Sequence, residues 1–239
     1  RLYFFALFLF ACTASAAEVR VFAAASLREA LTEIAAAYER QSKDKIVFSF
    51  GASSLLARQI QEGAPADLFL SADEEKMNAL ARRGLIEARS RVSVLSNSLV
   101  VVVPKTGGKS IASARQLPSL ESIALAEPNS VPAGIYAREY LQKIGLWSRL
   151  QAKVIPTDNV RSALAAVESG NVDAAIVYKT DALISNEVRV AYEVPRADGP
   201  DISYPFALVT NNAASRRFLG QLRSPAALRV FAKYGFVIR

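Results

Sequence analysis

The chain has 239 residues, 51% of them apolar, enough for one large or two modest domains with real cores. It has no histidine and one cysteine, Cys12, which excludes Ser-His-Asp hydrolysis, histidine acid–base catalysis, ordinary zinc sites and disulfides within the chain. The formal charge of +7 would suit a nucleic acid if it were clustered, but its longest basic runs are pairs such as Arg82-Arg83 and Arg216-Arg217 without interleaved aromatics, so it reads as diffuse surface charge.

The first predicted element is a secretory signal peptide over residues 1–16: a basic Arg1, an apolar stretch from Leu2 to Ala11, then small residues with Ala14-Ser15-Ala16 before the cleavage point. A rival reading takes Leu9-Phe10-Ala11-Cys12 as a lipoprotein site with Cys12 lipidated, which the bulky Phe10 suits badly. The apolar stretch falls short of the ~20 residues of a membrane span. The mature chain is therefore expected to be soluble, cysteine-free and periplasmic.

Val19 to Ala25 reads as a strand, followed by Leu27, Ala30, Leu31, Ile34, Ala35 and Tyr38 at helical spacing. Lys45–Phe50 predicts a strand, Ser54–Gln61 a helix, Ala66–Ser71 a buried strand and Glu74–Arg83 a helix. Leu99-Val100-Val101-Val102-Val103-Pro104 is a β-branched run suited to burial on both faces. Ile123–Ala126 predicts a strand, Ala133–Ile144 a helix stopped by Gly145, Ala152–Pro156 a strand, Val160–Ser169 a helix stopped by Gly170, and Val172–Tyr178 a strand. Repeated βα units argue for an α/β chain with parallel or mixed sheets. The runs near 95–104 and Ile202–Thr210 flank a middle block and are expected to carry the chain between two lobes, 17–96 with 206–239 and 97–205, the first completed by C-terminal helices around Phe218 to Tyr234.

In open α/β sheets ligands bind beyond the carboxyl ends of strands, where helix N-termini offer unpaired N–H groups and a partial positive charge. Ser26 ends the first strand; with Glu29 three residues on, it forms a Ser-x-x-Glu capping box, so its default reading is a helix cap. Ser53 and Ser54 open the next helix after Gly51, and one can cap while the other is free. Two such turns make a pocket for an anion with several oxygens. Pro132 stands just before or at a first helical position, leaving the amides of Ala133 and Gly134 unobstructed, and Asp158 or Asn159 is the natural cap for the helix from Val160. Tyr178 ends its strand at the same side, either as a core aromatic with its hydroxyl at the rim or as a donor into the crevice.

Val21-Phe-Ala-Ala-Ala-Ser-Leu27, Ser53-Ser-Leu-Leu-Ala-Arg-Gln59 with Gly63-Ala-Pro-Ala-Asp-Leu-Phe69, Val131-Pro-Ala-Gly-Ile-Tyr136, Asn159-Val-Arg161 and Ile176-Val-Tyr178 together resemble, in order and over essentially the whole mature chain, the periplasmic molybdate-binding proteins. These are the substrate-binding components of ABC transporters for molybdate and tungstate. Lys233-Tyr-Gly-Phe236 also looks like the family's C-terminal helix and exit. The resemblance implies a class II periplasmic binding protein, two α/β lobes joined by two crossover strands and closing as a monomer on a dehydrated tetrahedral oxyanion, with a membrane permease as partner and no cofactor. It places the ligand contacts, and hence molybdenum held only as its oxyanion, on Ser26, Ser53, Ala133, Val160 and Tyr178. The second turn departs from the family's hydroxyl-rich pattern in reading Gly51-Ala52-Ser53-Ser54.

Three alternatives stand beside it. The same fold binds sulfate and other small anions, and a carboxylate binder would need a bidentate arginine, for which Arg161 is the candidate. A serine hydrolase would use Ser26 or Ser53 with a lysine base, and an effector-binding domain of a transcription factor would lack the leader.

Overall fold

The computed structural model describes residues 17–239; the leader expected over residues 1–16, and Cys12 with it, lie outside the described residues. Two mixed sheets organise the chain. The first has the strand order β11-β4-β10-β3-β1-β2, built from β1 (Glu18–Ala24), β2 (Lys45–Gly51), β3 (Leu68–Leu70), β4 (Val92–Ser96), β10 (Tyr204–Leu208) and β11 (Val237–Ile238). The second has the order β7-β6-β8-β5-β9, from β5 (Leu99–Pro104), β6 (Ile123–Ala126), β7 (Val154–Thr157), β8 (Ala174–Tyr178) and β9 (Val188–Glu193). This is the two-lobed α/β architecture expected from the repeated βα units.

Side-chain alternation explains why the first sheet is covered on both faces. Val19, Val21 and Ala23 of β1 join one cluster with Leu31, Ile34 and Tyr38 of α1 (Arg28–Ser42), while Phe22 joins Phe69 of β3 in another with Leu56 and Ile60 of α2 (Ser53–Gln61) and Met77 and Leu80 of α3 (Glu74–Arg82). Helices α8 (Ala213–Leu222) and α9 (Pro225–Lys233) complete the α1 face, the Phe218 ring lying 5.2 Å from Tyr38 and the Lys233 ammonium 2.7 Å from the Glu33 carboxylate. In the second sheet Leu99 to Val103 of β5 are all buried, as a β-branched run covered on both faces must be. It is packed by α4 (Pro132–Lys143) and α6 (Val160–Glu168), with the shorter α5 (Trp147–Leu150) and α7 (Lys179–Leu183) beside them.

The two passages differ in detail from the sequence expectation. The apolar stretch near 95–104 is two strands in different sheets, β4 and β5, parted at Asn97-Ser98, where the Asn97 side-chain oxygen accepts the Ser98 N–H at 2.9 Å and its amide turns into a buried polar cluster. The return is made by residues 194–203, before β10 begins. A strand satisfies its ladder within one sheet, so the change of sheet falls where side chains supply the missing partners. No helix among the described residues is long and apolar enough to cross a membrane.

Asp44, just before β2, accepts from the Tyr38 hydroxyl at 2.8 Å and from Arg217 of α8 at 2.8 and 2.9 Å, stitching three elements together. Burial pushes its carboxyl up, but the Arg217 and Tyr38 hydrogen bonds outweigh burial and hold it below its ordinary 3.8. A carboxylate with a depressed folded pKa stabilises above its unfolded value and loses that contribution as pH falls through the folded one. The unfolding midpoint of Asp44→Asn should therefore lie below that of the unaltered chain at pH 7, and the gap should close in thermal scans below about pH 4. Phe218 is fully buried against Tyr38 and Phe48, and Phe218→Ala should cost about 3–5 kcal/mol in denaturant unfolding.

Candidate functional site

Five strands deliver their carboxyl ends to one place. In the first sheet Ala24 pairs in register with Gly51 at the parallel ends of β1 and β2; in the second, Ala126 pairs with Thr157 at the parallel ends of β6 and β7, and β8 ends nearby at Tyr178. The turns beyond these ends line a cavity of about 20 Å³, room for a small group, with Ser26, Ser53, Ala133, Asn159, Val160 and Tyr178 among the lining residues. All five residues that the resemblance singles out are thus brought together, from both lobes, across some 150 positions of sequence. A wider opening of about 770 Å³, flanked by Ser54, Arg58, Ser130 and Asp158, adjoins it and shares Gly51, Ala52, Val131 and Asn159 with it.

Both serine-cap expectations fail. Ser26 lies inside a 3-10 turn, Ala25–Leu27, and α1 begins after Leu27 without a side-chain cap. Its hydroxyl stands 3.1 Å from the Tyr204 hydroxyl instead, while Glu29, the would-be partner in the box, is drawn to Arg161 at 2.5 Å. The 3-10 turn moves Ser26 off the cap position, and a charged partner outcompetes the backbone for Glu29. At α2 the cap is Ala52, with no side-chain hydrogen bond, so neither Ser53 nor Ser54 caps. Ser53 is the first helical residue; its oxygen accepts the Ala72 N–H at 3.0 Å, which leaves its own O–H to donate elsewhere.

The second lobe supplies backbone donors. Pro132 occupies the first turn of α4, with Val131 as cap and no capping side chain, so the N–H groups that open the helix have no intrahelical acceptor. Gly134 explains how this helix fits so close to its strand: a Cβ there would lie 1.9 Å from the Ala126 carbonyl oxygen. At α6 Asn159 is the cap, its side-chain oxygen accepting the N–H groups of Arg161 at 2.9 Å and Ser162 at 3.2 Å and not that of Val160. Tyr178 is 1% exposed, and its hydroxyl has no hydrogen-bond partner among the described residues. Burial pushes that phenol well above its ordinary value, so it stays protonated and can act as a donor.

Among the described residues no charged side chain lines the cavity. The adjacent cation is Arg161, which sequence reasoning held as a carboxylate clamp. Its guanidinium is taken by Glu29 of α1 at 2.5 Å and Asp181 of α7 at 2.6 Å, so it braces the lobes from behind and leaves the carboxylate-binding alternative without its arginine. Asp181 is fully buried; burial pushes its carboxyl up, to about 6 against the opposing pull of Arg161, and its second oxygen accepts the Tyr178 N–H at 3.2 Å. Among the described residues the hydroxyl partners of Ser26 and Ser53 are a phenol, which burial keeps protonated, and a backbone N–H. What remains is a cavity of neutral O–H and N–H donors, suited to gripping an acceptor-rich anion.

Sequence reasoning missed Tyr204, Asn97 and the Ala72 amide. Tyr204 sits in the run Ile202–Thr210, legible only as a strand, and its approach to Ser26 spans 178 positions.

The matching family model, residues 19–237, is described as bacterial extracellular solute-binding protein. The chain is 42% identical over 230 residues, covering 93% of it and 90% of the relative, to the molybdate-binding protein ModA of Escherichia coli (strain K12). Among solved structures it is similar to the periplasmic molybdate-binding protein of Azotobacter vinelandii, with a TM-score of 0.83 at 22% identity over 92% of this chain and 99% of that one. It also shares its fold with the sulfate-binding protein SubI of Mycobacterium tuberculosis, with a TM-score of 0.80 at 18% identity over 92% and 86% of the two chains.

Two variants test the geometry. Tyr178→Phe removes a buried hydroxyl without a protein partner, and the ligand-free unfolding midpoint should hold steady or rise; a fall of several degrees would show a partner. Gly134→Ala should lower that midpoint by the ~1–3 kcal/mol typical of overpacking, because the carbonyl of Ala126 blocks the added carbon.

Proposed function

The chain belongs to the bacterial extracellular solute-binding proteins, and from that membership we propose that it binds molybdate, and tungstate as its close analogue, between its lobes and hands the anion to the permease of an ABC transporter. Such a protein binds and releases; it is not an enzyme. It acts in the periplasm, as a monomer.

The observation that carries the reading is the cavity itself: buried hydroxyls and helix-terminal amides drawn from both lobes and, among the described residues, one phenol without a partner and no cation in the lining. A tetrahedral oxyanion offers acceptors in four directions. The proposed contacts are the hydroxyls and amides of Ser26 and Ser53, the amides of Ala133 and Val160, and the Tyr178 hydroxyl. Each becomes a charge-assisted hydrogen bond, stronger than a neutral one, and the surrounding apolar residues keep water from competing. Closure of two lobes over the anion completes a set of donors that neither lobe holds alone.

Donors alone also select. A phosphate that keeps a proton at neutral pH needs an acceptor, which hydroxyls already committed as donors do not offer, whereas molybdate, tungstate and sulfate arrive fully deprotonated. Charge cannot separate sulfate from molybdate, so cavity size must. The sulfate-binding neighbour with the same fold makes sulfate the second reading to test.

Thermal unfolding with molybdate, tungstate, sulfate and phosphate discriminates. Ligand at about 100 times its Kd adds ~2.7 kcal/mol of stability, which for a chain of this size raises the midpoint by roughly 5–11 °C. Molybdate and tungstate should each produce that rise; a rise with sulfate alone would keep the fold and reassign the ligand. Ser53→Ala, which keeps the amide, should weaken molybdate binding by ~1.5–3 kcal/mol in calorimetry. Unchanged affinity would remove that hydroxyl from the site.

A further inference from the structure

The polar cluster behind Ser26 has no part in the contacts assigned so far. Asn97, in the first passage between the sheets, donates from its side-chain nitrogen to Thr180 Oγ1 at 2.9 Å and to the Tyr204 hydroxyl oxygen at 3.2 Å. Its side-chain oxygen accepts the Ser98 N–H, which fixes which end of the amide faces the cluster. Tyr204 opens β10 at the end of the second passage, and its hydroxyl stands 3.1 Å from Ser26 Oγ. Asn97, Thr180, Tyr204 and Ser26 are all buried.

The protons in this cluster have one economical arrangement. Asn97 spends both its N–H groups on Thr180 and Tyr204, so the Tyr204 oxygen receives a hydrogen bond and still has its own proton to place. Among the described residues that hydroxyl has one other partner, Ser26 Oγ. If Ser26 were the donor, the Tyr204 proton would be buried with no acceptor, a cost a native interior avoids. Burial also pushes the Tyr204 phenol well above its ordinary value, so it carries that proton throughout the neutral range. Ser26 Oγ therefore accepts from Tyr204, and its own O–H has to point away, toward the cavity.

We propose that Asn97 and Tyr204 are positioning residues that set the Ser26 hydroxyl as a donor to the bound oxyanion, one from each passage between the lobes. This rests on the reading of the cavity as an oxyanion site. It also gives the passages a second task. Thr180 comes from the second lobe, Ser26 from the first, and the relay between them runs through the two segments that join the lobes, so donor orientation and lobe arrangement are held by the same hydrogen bonds.

A double-mutant cycle tests the relay. Tyr204→Phe keeps the buried ring and deletes only the hydroxyl; its ligand-free unfolding stays cooperative, with a midpoint lowered only by the few degrees that the unpaired Asn97 N–H costs, which checks that the fold survives. With molybdate, tungstate and sulfate titrated calorimetrically, Tyr204→Phe should raise Kd about tenfold and Ser26→Ala about ten- to hundredfold. Adding Tyr204→Phe to Ser26→Ala should change Kd by less than about twofold, because there is no longer a hydroxyl to orient. An equal tenfold loss in both backgrounds, or no loss in either, overturns the proposal. A chain that binds sulfate but not molybdate overturns the function reading and leaves the cycle to be read with sulfate, whereas one that binds no oxyanion overturns both.

Discussion

Wherever a strand hands its chain to a helix, the first N–H groups of that helix have no acceptor within it, and the organisation of this protein follows from where those ends are put. Turned to solvent, they would be satisfied by water and would do nothing. Here the ends of β1 and β2 in one sheet face those of β6, β7 and β8 in the other across a small cavity. The local rules reinforce the effect: Pro132 opens α4 without needing a donor of its own, Asn159 takes up the N–H groups of Arg161 and Ser162 but not that of Val160, and Gly134 lets α4 sit against the Ala126 carbonyl. Each feature is ordinary helix-start chemistry, and together they aim donors at one point.

Charge is kept one layer back. A cation in the cavity would bind many anions indiscriminately and would have to be desolvated with them. Arg161, one residue beyond the Val160 amide, is neutralised by Glu29 and Asp181, and Asp181 in turn holds the Tyr178 N–H. The guanidinium thus ties three of the site's turns, those of Ser26, Val160 and Tyr178, without presenting itself to a ligand. Removing the half-buried guanidinium would strand the fully buried Asp181 carboxylate without its charge partner.

The neutral cavity and the ionic brace divide the work between selectivity and shape. Hydroxyls are adaptable because their protons rotate, and that freedom has to be removed if they are to discriminate. Ser53 is fixed by the Ala72 N–H and Ser26 by the phenol beside it, each from a segment distant in sequence. The site's accuracy is therefore a property of the packed lobes, whose cores, from Val19 and Leu31 in one to Val101 and Leu164 in the other, hold those segments still.

By itself the sequence determined the elements and their periodicity. The β-branched run Leu99–Val103, the helical spacing of Leu31, Ile34 and Tyr38, and the stops at Gly145 and Gly170, both with positive φ, were legible because they are local: side-chain period and backbone freedom act within a few residues. Helix-start signatures marked the turns at Ser26, Ser53, Pro132 and Asn159 as rich in donors, while the set Ser26, Ser53, Ala133, Val160 and Tyr178 came from the resemblance to the molybdate-binding proteins. The tertiary structure alone decided what those residues do. It took Ser26 and Glu29 out of a capping box and gave them to Tyr204 and Arg161, left Ser53 uncommitted as a cap, turned Arg161 away from the cavity and broke the apolar stretch at Asn97. For Ser26 and Glu29 a partner more than a hundred positions away replaced the local hydrogen bond, for Ser53 one 19 positions away, and no rule of spacing encodes which group will arrive.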